Sequence, residues 1–167
     1  SYGLVYGLSA FGLSQQLGIS PKEAKDIMVN YFERFGGVKT YLDEVVDTAR
    51  KDGYTSTIFG RRRYLPELAS DNRLARENAE RAALNAPIQG TAADIIKVAM
   101  IRVDAALQGK KSRVLLQVHD ELVVEIAPGE LDEVRAILEK EMDSAINLRV
   151  SLEVSAGAGT NWDAAAH

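Results

Sequence analysis

Residues 113–126, RVLLQVHDELVVEI, decide how the rest of the chain is read. Two apolar runs of strand length meet at His119-Asp120-Glu121. Aliphatic and β-branched residues on both sides predict a buried antiparallel hairpin with a tight turn. Alternation puts Val114, Leu116 and Val118 on one face of the first strand, and Leu122, Val124 and Ile126 on one face of the second. A turn serving only to reverse the chain would carry Asn-Gly or Gly-Gly. This one carries a histidine and two adjacent carboxylates. Adjacent carboxylates repel one another unless a cation or donor lies nearby. Hard oxygen ligands beside open space suit Mg²⁺, which takes one or two carboxylates plus phosphates and water. Two such ions about 3.5–4 Å apart serve phosphoryl transfer. The plainer alternative is a solvated polar turn, and these three residues alone do not choose.

Outward from this hairpin the pattern is first helical, then mixed. Residues 2–17 carry apolar residues at helical spacing, with Gly3, Gly7 and Gly12 interleaved. Ser20, Pro21 and Glu23 form an N-cap, a first-turn proline and a capping box. Gly36-Gly37 are expected to end that helix. A further helix should stop at Gly53, followed by a short hairpin turned at Gly60 in YTSTIFGRRRYLP. A long helical pattern spans about 72–107, and Pro87 is expected to kink or split it. Beyond the signature hairpin, a helix is predicted over about 130–146, with Leu131, Val134, Leu138 and Met142 on one face. LRVSLEV then alternates like a last strand. The reading is an α+β fold: a helical part, then a small antiparallel sheet with packed helices.

Bulk properties exclude more than they assign. The 167 residues fit one domain or part of a larger one, with the composition of an ordinary globular protein. The net charge of −4 gives no pointer to nucleic acid, so a phosphate-binding surface has to be local. Without cysteine there is neither a disulfide nor a thiolate metal site. No apolar run approaches the roughly 18 residues of a membrane span. The opening SYGLVYGLSAFGL has no Met and no basic leader. It already lies within a helical pattern, which reads as a cut end.

Two local features could meet such a surface. In ERAALNAPIQGTAADIIK, Arg81, Asn85 and Gln89 recur at every fourth position, on one helix face if Pro87 leaves them in line. Arginine and amide side chains in a row suit the DNA minor groove, whose acceptors vary little with sequence. Arg61, Arg62 and Arg63 are the one concentrated basic run and suit phosphate contact. A solvated stripe and a solvated turn are the plain alternatives. Tyr2 and Tyr6 lie one helical turn apart and share a face, with Gly3 and Gly7 leaving a neighbouring face open to close approach. Packing in a core explains them equally well.

Together, in order, SYGLVYGLSAFGL, GRRRYLP, ERAALNAPIQGTAADIIK and LLQVHDELVVEI resemble four blocks of the family A DNA polymerases, the bacterial DNA polymerase I type. The resemblance covers essentially the whole chain, down to NWDAAAH. It implies that residues 1–60 belong to the fingers and 61–167 to the palm of a right-hand polymerase. Asp120 then matches the catalytic, metal-binding palm aspartate, and Glu121 its acidic neighbour. His119, Arg81 and Gln89 match groups at the primer terminus, and Asn85 lies on the same face. Tyr2 and Tyr6 match the two aromatic positions of the helix that closes on the incoming nucleotide. Tyr2 departs from the commoner Phe, which bears on sugar selection.

The implied activity is template-directed addition of deoxynucleotides to a primer 3′ end, with two Mg²⁺ ions, in DNA replication and repair. The implied partners are primer–template DNA and deoxynucleoside triphosphates, with no membrane, in a monomeric, cytoplasmic, nucleoid-associated bacterial enzyme. The family's other metal-binding aspartate and its triphosphate-gripping Arg and Lys belong to motifs ahead of Ser1, so the isolated chain is expected to be inactive. A phage-type single-subunit RNA polymerase shares the architecture, but more often has Ser after its His-Asp pair. A non-enzymatic duplex-binding module would explain Arg81, Asn85 and Gln89, but not Asp120 and Glu121.

Overall fold

The computed structural model describes residues 9–166. They divide into two compact units, one up to Thr91 and one from Ala92 onward.

In the first unit, α1 (Ala10–Leu17) starts at Ser9, whose hydroxyl accepts from the Gly12 N–H at 3.1 Å. In α2 (Pro21–Arg34) the expected capping box is present in full. The Glu23 N–H donates to Ser20 Oγ at 3.2 Å, and the Ser20 N–H donates to Glu23 Oε2 at 2.9 Å. The two helices share a small core in which Leu13 and Ala24 are buried among Ile19, Met28, Tyr31 and Phe32.

Gly36-Gly37 depart from expectation. α2 is capped by Phe35, and the two glycines are the first residues of α3 (Gly36–Asp52). Glycine is poor in helix interiors but tolerable in a first turn, where N–H groups lack helical partners anyway. α3 stops at Gly53 in the left-handed conformation, φ 79°, as its position at the end of the pattern predicts.

β1 (Tyr54–Ser56) and β2 (Arg62–Tyr64) form the antiparallel hairpin turned at Gly60, with Thr55 opposite Arg63. A 3-10 turn, Pro66–Ala69, leads to α4 (Arg73–Ala106). Ala49, Leu65, Leu68, Ala79 and Ala83 make the core that ties α3, the 3-10 turn and α4 together. Pro87 does not split α4, which is helical throughout Arg73–Ala106. The proline removes one ladder hydrogen bond, and the helical residues on both sides still pack into cores.

In the second unit, β3 (Arg113–Val118) and β4 (Glu121–Glu125) form the signature hairpin. α5 (Leu131–Asp143) covers one face of it. Val103, Leu107 and Val134 are buried there among Val114, Leu122, Val124, Ile126, Ile137 and Leu138. The chain ends in a short helix, α6 (Trp162–Ala165).

Three expectations fail in this unit. Val114 pairs with Val124, but Leu116 pairs with Val123, so Leu115 opposes no residue. This bulge breaks the alternation, and Val114, Leu116 and Val118 do not act as one face. Nor is the hairpin buried throughout, since Leu115 and Leu116 are 50% and 44% exposed. LRVSLEV is not a strand. Its alternation survives as half-buried Leu152 and Val154 between exposed neighbours. A strand, however, needs a ladder partner as well as a pattern.

Candidate catalytic and nucleic-acid site

The tip of the β3–β4 hairpin is a two-residue turn, His119-Asp120, closed by the Val118–Glu121 pair. His119 has φ 52°, and Asp120 is not among the positive-φ residues. Positive φ at the first central position alone is the pattern of a II′ turn, where glycine is favoured. A side chain in that conformation costs about 1–2 kcal/mol. The Gln117 side-chain amide donates to the His119 carbonyl and so braces the turn from β3.

His119, Asp120 and Glu121 are all exposed. Neither carboxylate makes a hydrogen bond or ion pair among the described residues. No group of three or more His, Cys, Asp or Glu side chains able to hold a metal occurs among them either. The donors present, two neighbouring carboxylates with free lone pairs, suit a hard divalent cation whose remaining ligands come from elsewhere.

The foot of the hairpin is held by a carboxylate at the start of the predicted 130–146 helix, a residue with no role assigned from the sequence. Glu130 accepts from the Lys111 N–H at 3.1 Å, the Ser112 N–H at 2.9 Å and the Ser112 hydroxyl. Ser112 Oγ in turn accepts from the Ala127 N–H at 2.9 Å. The Ser112 hydroxyl, then the Lys111 N–H, hold the Glu130 carboxyl below the usual carboxylate range, against a small opposing effect of burial.

The row Arg81, Asn85 and Gln89 lies in the first unit on continuous helix, so its every-fourth-residue spacing keeps one face. Arg81 and Gln89 are exposed, whereas Asn85 is half-buried. The Arg81 guanidinium donates to Asn78 Oδ1. Asn85 Oδ1 is buried without a partner among the described residues.

Gln89 also lines a groove of about 260 Å³ between the β1–β2 hairpin and α4. Its walls are Thr55, Ser56, Thr57, the three arginines 61–63, Ala86, Gln89 and Gly90. The hairpin is pinned to the helix here: Arg61 Nη2 donates to the Gly90 carbonyl at 3.0 Å, and the Ile58 N–H to Thr91 Oγ1 at 3.1 Å. The approach is close, since a Cβ on Gly90 would lie 2.7 Å from the Thr57 Cγ2 methyl and one of the two would have to shift. Arg62 stacks on the Tyr54 ring at 4.4 Å. Two signals for this groove were present in the sequence: a glycine within a helical pattern, and a threonine and an arginine facing each other across a short hairpin. Tyr2 and Tyr6 lie outside the described residues.

The model of DNA polymerase family A matches residues 1–164. The chain belongs to this family. DNA polymerase I of Mycobacterium tuberculosis (strain ATCC 25618 / H37Rv) is 68% identical over 169 residues, covering 100% of this chain and 19% of that protein. DNA polymerase I of Streptococcus pneumoniae serotype 4 is 51% identical over 164 residues, covering 97% of this chain and 19% of the relative. Among solved structures, the POL domain of Pol1 from M. smegmatis, in complex with DNA primer-template and dNTP, matches with a TM-score of 0.96 and 65% identity. The match covers 99% of this chain and 30% of that one. The chain thus spans 19% of the length of these curated family members. Among the described residues, no helix is long and apolar enough to cross a membrane.

Proposed function

We propose that the chain forms part of the fingers and part of the palm of a DNA-directed DNA polymerase, with residues 1–60 in the fingers and 61–167 in the palm. The parent enzyme adds deoxynucleotides to a primer 3′ end on a template. The observation that carries the reading is the hairpin tip: two consecutive carboxylates without protein partners, on a turn that accepts backbone strain to present them. The family match supports it, as does the likeness to a polymerase domain in complex with DNA primer-template and dNTP.

Asp120 and Glu121 would hold Mg²⁺, together with ligands from the remainder of the polymerase, and Asp120 is the principal anchor. When bound there, the metal supplies electrostatic stabilisation of the charge that develops on the transferring phosphoryl group. The protein's own contribution is placement. Arg81 and Gln89 offer donors from one helix face, suited to minor-groove acceptors that every base pair presents. Asn85 supports the same face, and His119 contributes its ring at the primer terminus. Tyr2 and Tyr6 meet the incoming nucleotide. The parent acts in replication and repair as a monomer in the bacterial cytoplasm, at the nucleoid.

The test is primer extension by the complete polymerase containing this chain. Asp120→Asn should lower the extension rate by orders of magnitude while duplex binding changes little, and Glu121→Gln should cost less. Full activity in Asp120→Asn would make the hairpin tip structural. The 167-residue chain alone should not extend a primer, and clear template-dependent extension by it would overturn the reading.

A further inference from the structure

The groove between the β1–β2 hairpin and α4 has a chemistry that the hairpin tip and the Arg81 row do not explain. Its lining contains three arginines, three hydroxyl side chains and the amide of Gln89, and no carboxylate. Within it, Thr55 is only 6% exposed, and its Oγ1 is buried without a hydrogen-bond partner among the described residues. A buried hydroxyl left unpaired costs about 1–3 kcal/mol. Arg63 stands directly across the strands from Thr55 and lines the same groove, and its guanidinium makes no hydrogen bond, ion pair or ring contact among the described residues. The neighbouring arginines are engaged: Arg61 on the Gly90 carbonyl, Arg62 on the Tyr54 ring.

We infer that this groove is a phosphate-ester site, in which Thr55 Oγ1 and the Arg63 guanidinium donate to the oxygens of one phosphate. An anionic tetrahedral group satisfies both at once. It accepts from the buried hydroxyl and pairs with the guanidinium, whose fork suits phosphate. Gln89 lines the same groove, so a phosphate held here sits beside one member of the proposed minor-groove row. The inference rests on the polymerase reading. Within that reading the phosphate comes from the DNA backbone or from the incoming triphosphate.

The experiment uses the complete polymerase containing this chain, with Arg63→Gln and Thr55→Val. Affinity for a primer–template duplex is measured across a salt series, and the KM for dNTP at saturating duplex. For a backbone phosphate, Arg63→Gln weakens duplex binding about tenfold, as one charge-assisted contact requires. The slope of log K against log salt becomes shallower by about 0.9. For a triphosphate, that slope is unchanged and the KM for dNTP rises about tenfold. Thr55→Val should weaken the same interaction severalfold without lowering the melting temperature, because it removes an unpaired buried hydroxyl. If both variants leave slope and KM unchanged, or if Thr55→Val lowers the melting temperature with both affinities intact, the hydroxyl is structural and the inference fails. A parent that neither binds nor extends primer–template would instead overturn the polymerase reading itself.

Discussion

Replacing Gly90 by alanine sets two effects of opposite sign against each other. Gly90 lies inside α4, and alanine in a helix interior is favoured over glycine by about 0.8–1 kcal/mol. Its new Cβ, however, would meet Thr57 Cγ2 at 2.7 Å, a separation that real Cβ atoms essentially never show. Something must move, and the hairpin is poorly placed to do so. The Arg61–Gly90 and Ile58–Thr91 hydrogen bonds pin it on either side of the clash. The Thr57 N–H donates to the Arg61 carbonyl at 2.9 Å and fixes the loop between them. Forcing a methyl group into a fixed contact costs about 1–3 kcal/mol. The clash should therefore win, and Gly90→Ala should destabilise the chain by about 1 kcal/mol.

Thr57→Ser supplies the control. It deletes only the offending methyl group and keeps the Oγ that accepts from the Arg61 N–H at 3.2 Å. In that background Gly90→Ala should stabilise by up to about 1 kcal/mol, since only the helix preference remains. The assay is urea unfolding of the four chains of the cycle, with a coupling energy of about 2 kcal/mol expected between the two sites. A coupling below about 0.5 kcal/mol, with Gly90→Ala stabilising in both backgrounds, would mean that the hairpin does not press on the helix at this point.

Glu130 has a carboxyl held below its ordinary range by Ser112 and Lys111, so the unfolded chain binds more protons and stability rises with pH. Its contribution should be complete above about pH 4.3 and vanish as pH falls through the lower folded value; in Glu130→Gln this part of the acid loss should disappear, and an unchanged profile would deny the clamp. Arg81→Ala and Gln89→Ala in the complete polymerase should each slow extension by about 1–3 kcal/mol for all four bases alike, and a loss confined to one base pair would contradict a sequence-blind role. For Tyr2, a phenolic hydroxyl can stand in for the donor that a dideoxynucleotide lacks. The parent should therefore accept dideoxynucleotides, and Tyr2→Phe should raise deoxy-over-dideoxy selectivity in kcat/KM by about 10- to 150-fold; an unchanged ratio would place Tyr2 away from the sugar.

What could be read from the sequence depended on how local each cause was. The Ser20–Glu23 capping box and the stop at Gly53 are settled within one helical turn, and both appear as expected. The α4 pattern is legible too, although Pro87 does not split the helix. One missing hydrogen bond does not outweigh the burial of Ala79, Ala83 and Val103 along the same helix. The bulge at Leu115 could not be read, because Leu115 and Leu116 are chemically alike and register is set by the partner strand. LRVSLEV failed for the same reason: alternation describes a face, whereas a strand requires a ladder. At the hairpin tip, His119-Asp120-Glu121 stands out in the sequence as a charged break between two apolar runs. The Glu130 clamp does not, since it joins residues brought together only by folding, and the groove left only partial signals, because the packing of its hairpin on α4 is also a product of folding.

The turn at the tip shows a local preference overridden. A II′ turn is easiest with glycine first, yet His119 occupies that place with φ 52°. Two devices offset the strain. One is the Gln117 amide on the His119 carbonyl, and the other is the anchored foot, where Glu130 and Ser112 tie residues 111–112 to 127–130. With both ends of the hairpin fixed, the chain has little freedom to relax the turn by fraying. The consequence for the carboxylates is a division of position. Asp120 lies in the turn, outside the ladder, while the Glu121 backbone is committed to the closing pair with Val118. The sheet therefore sets the direction of Glu121, and the strained turn alone sets that of Asp120. The unequal effects expected of Asp120→Asn and Glu121→Gln agree with that division, because only Asp120 depends for its placement on the feature that the hairpin is strained to maintain.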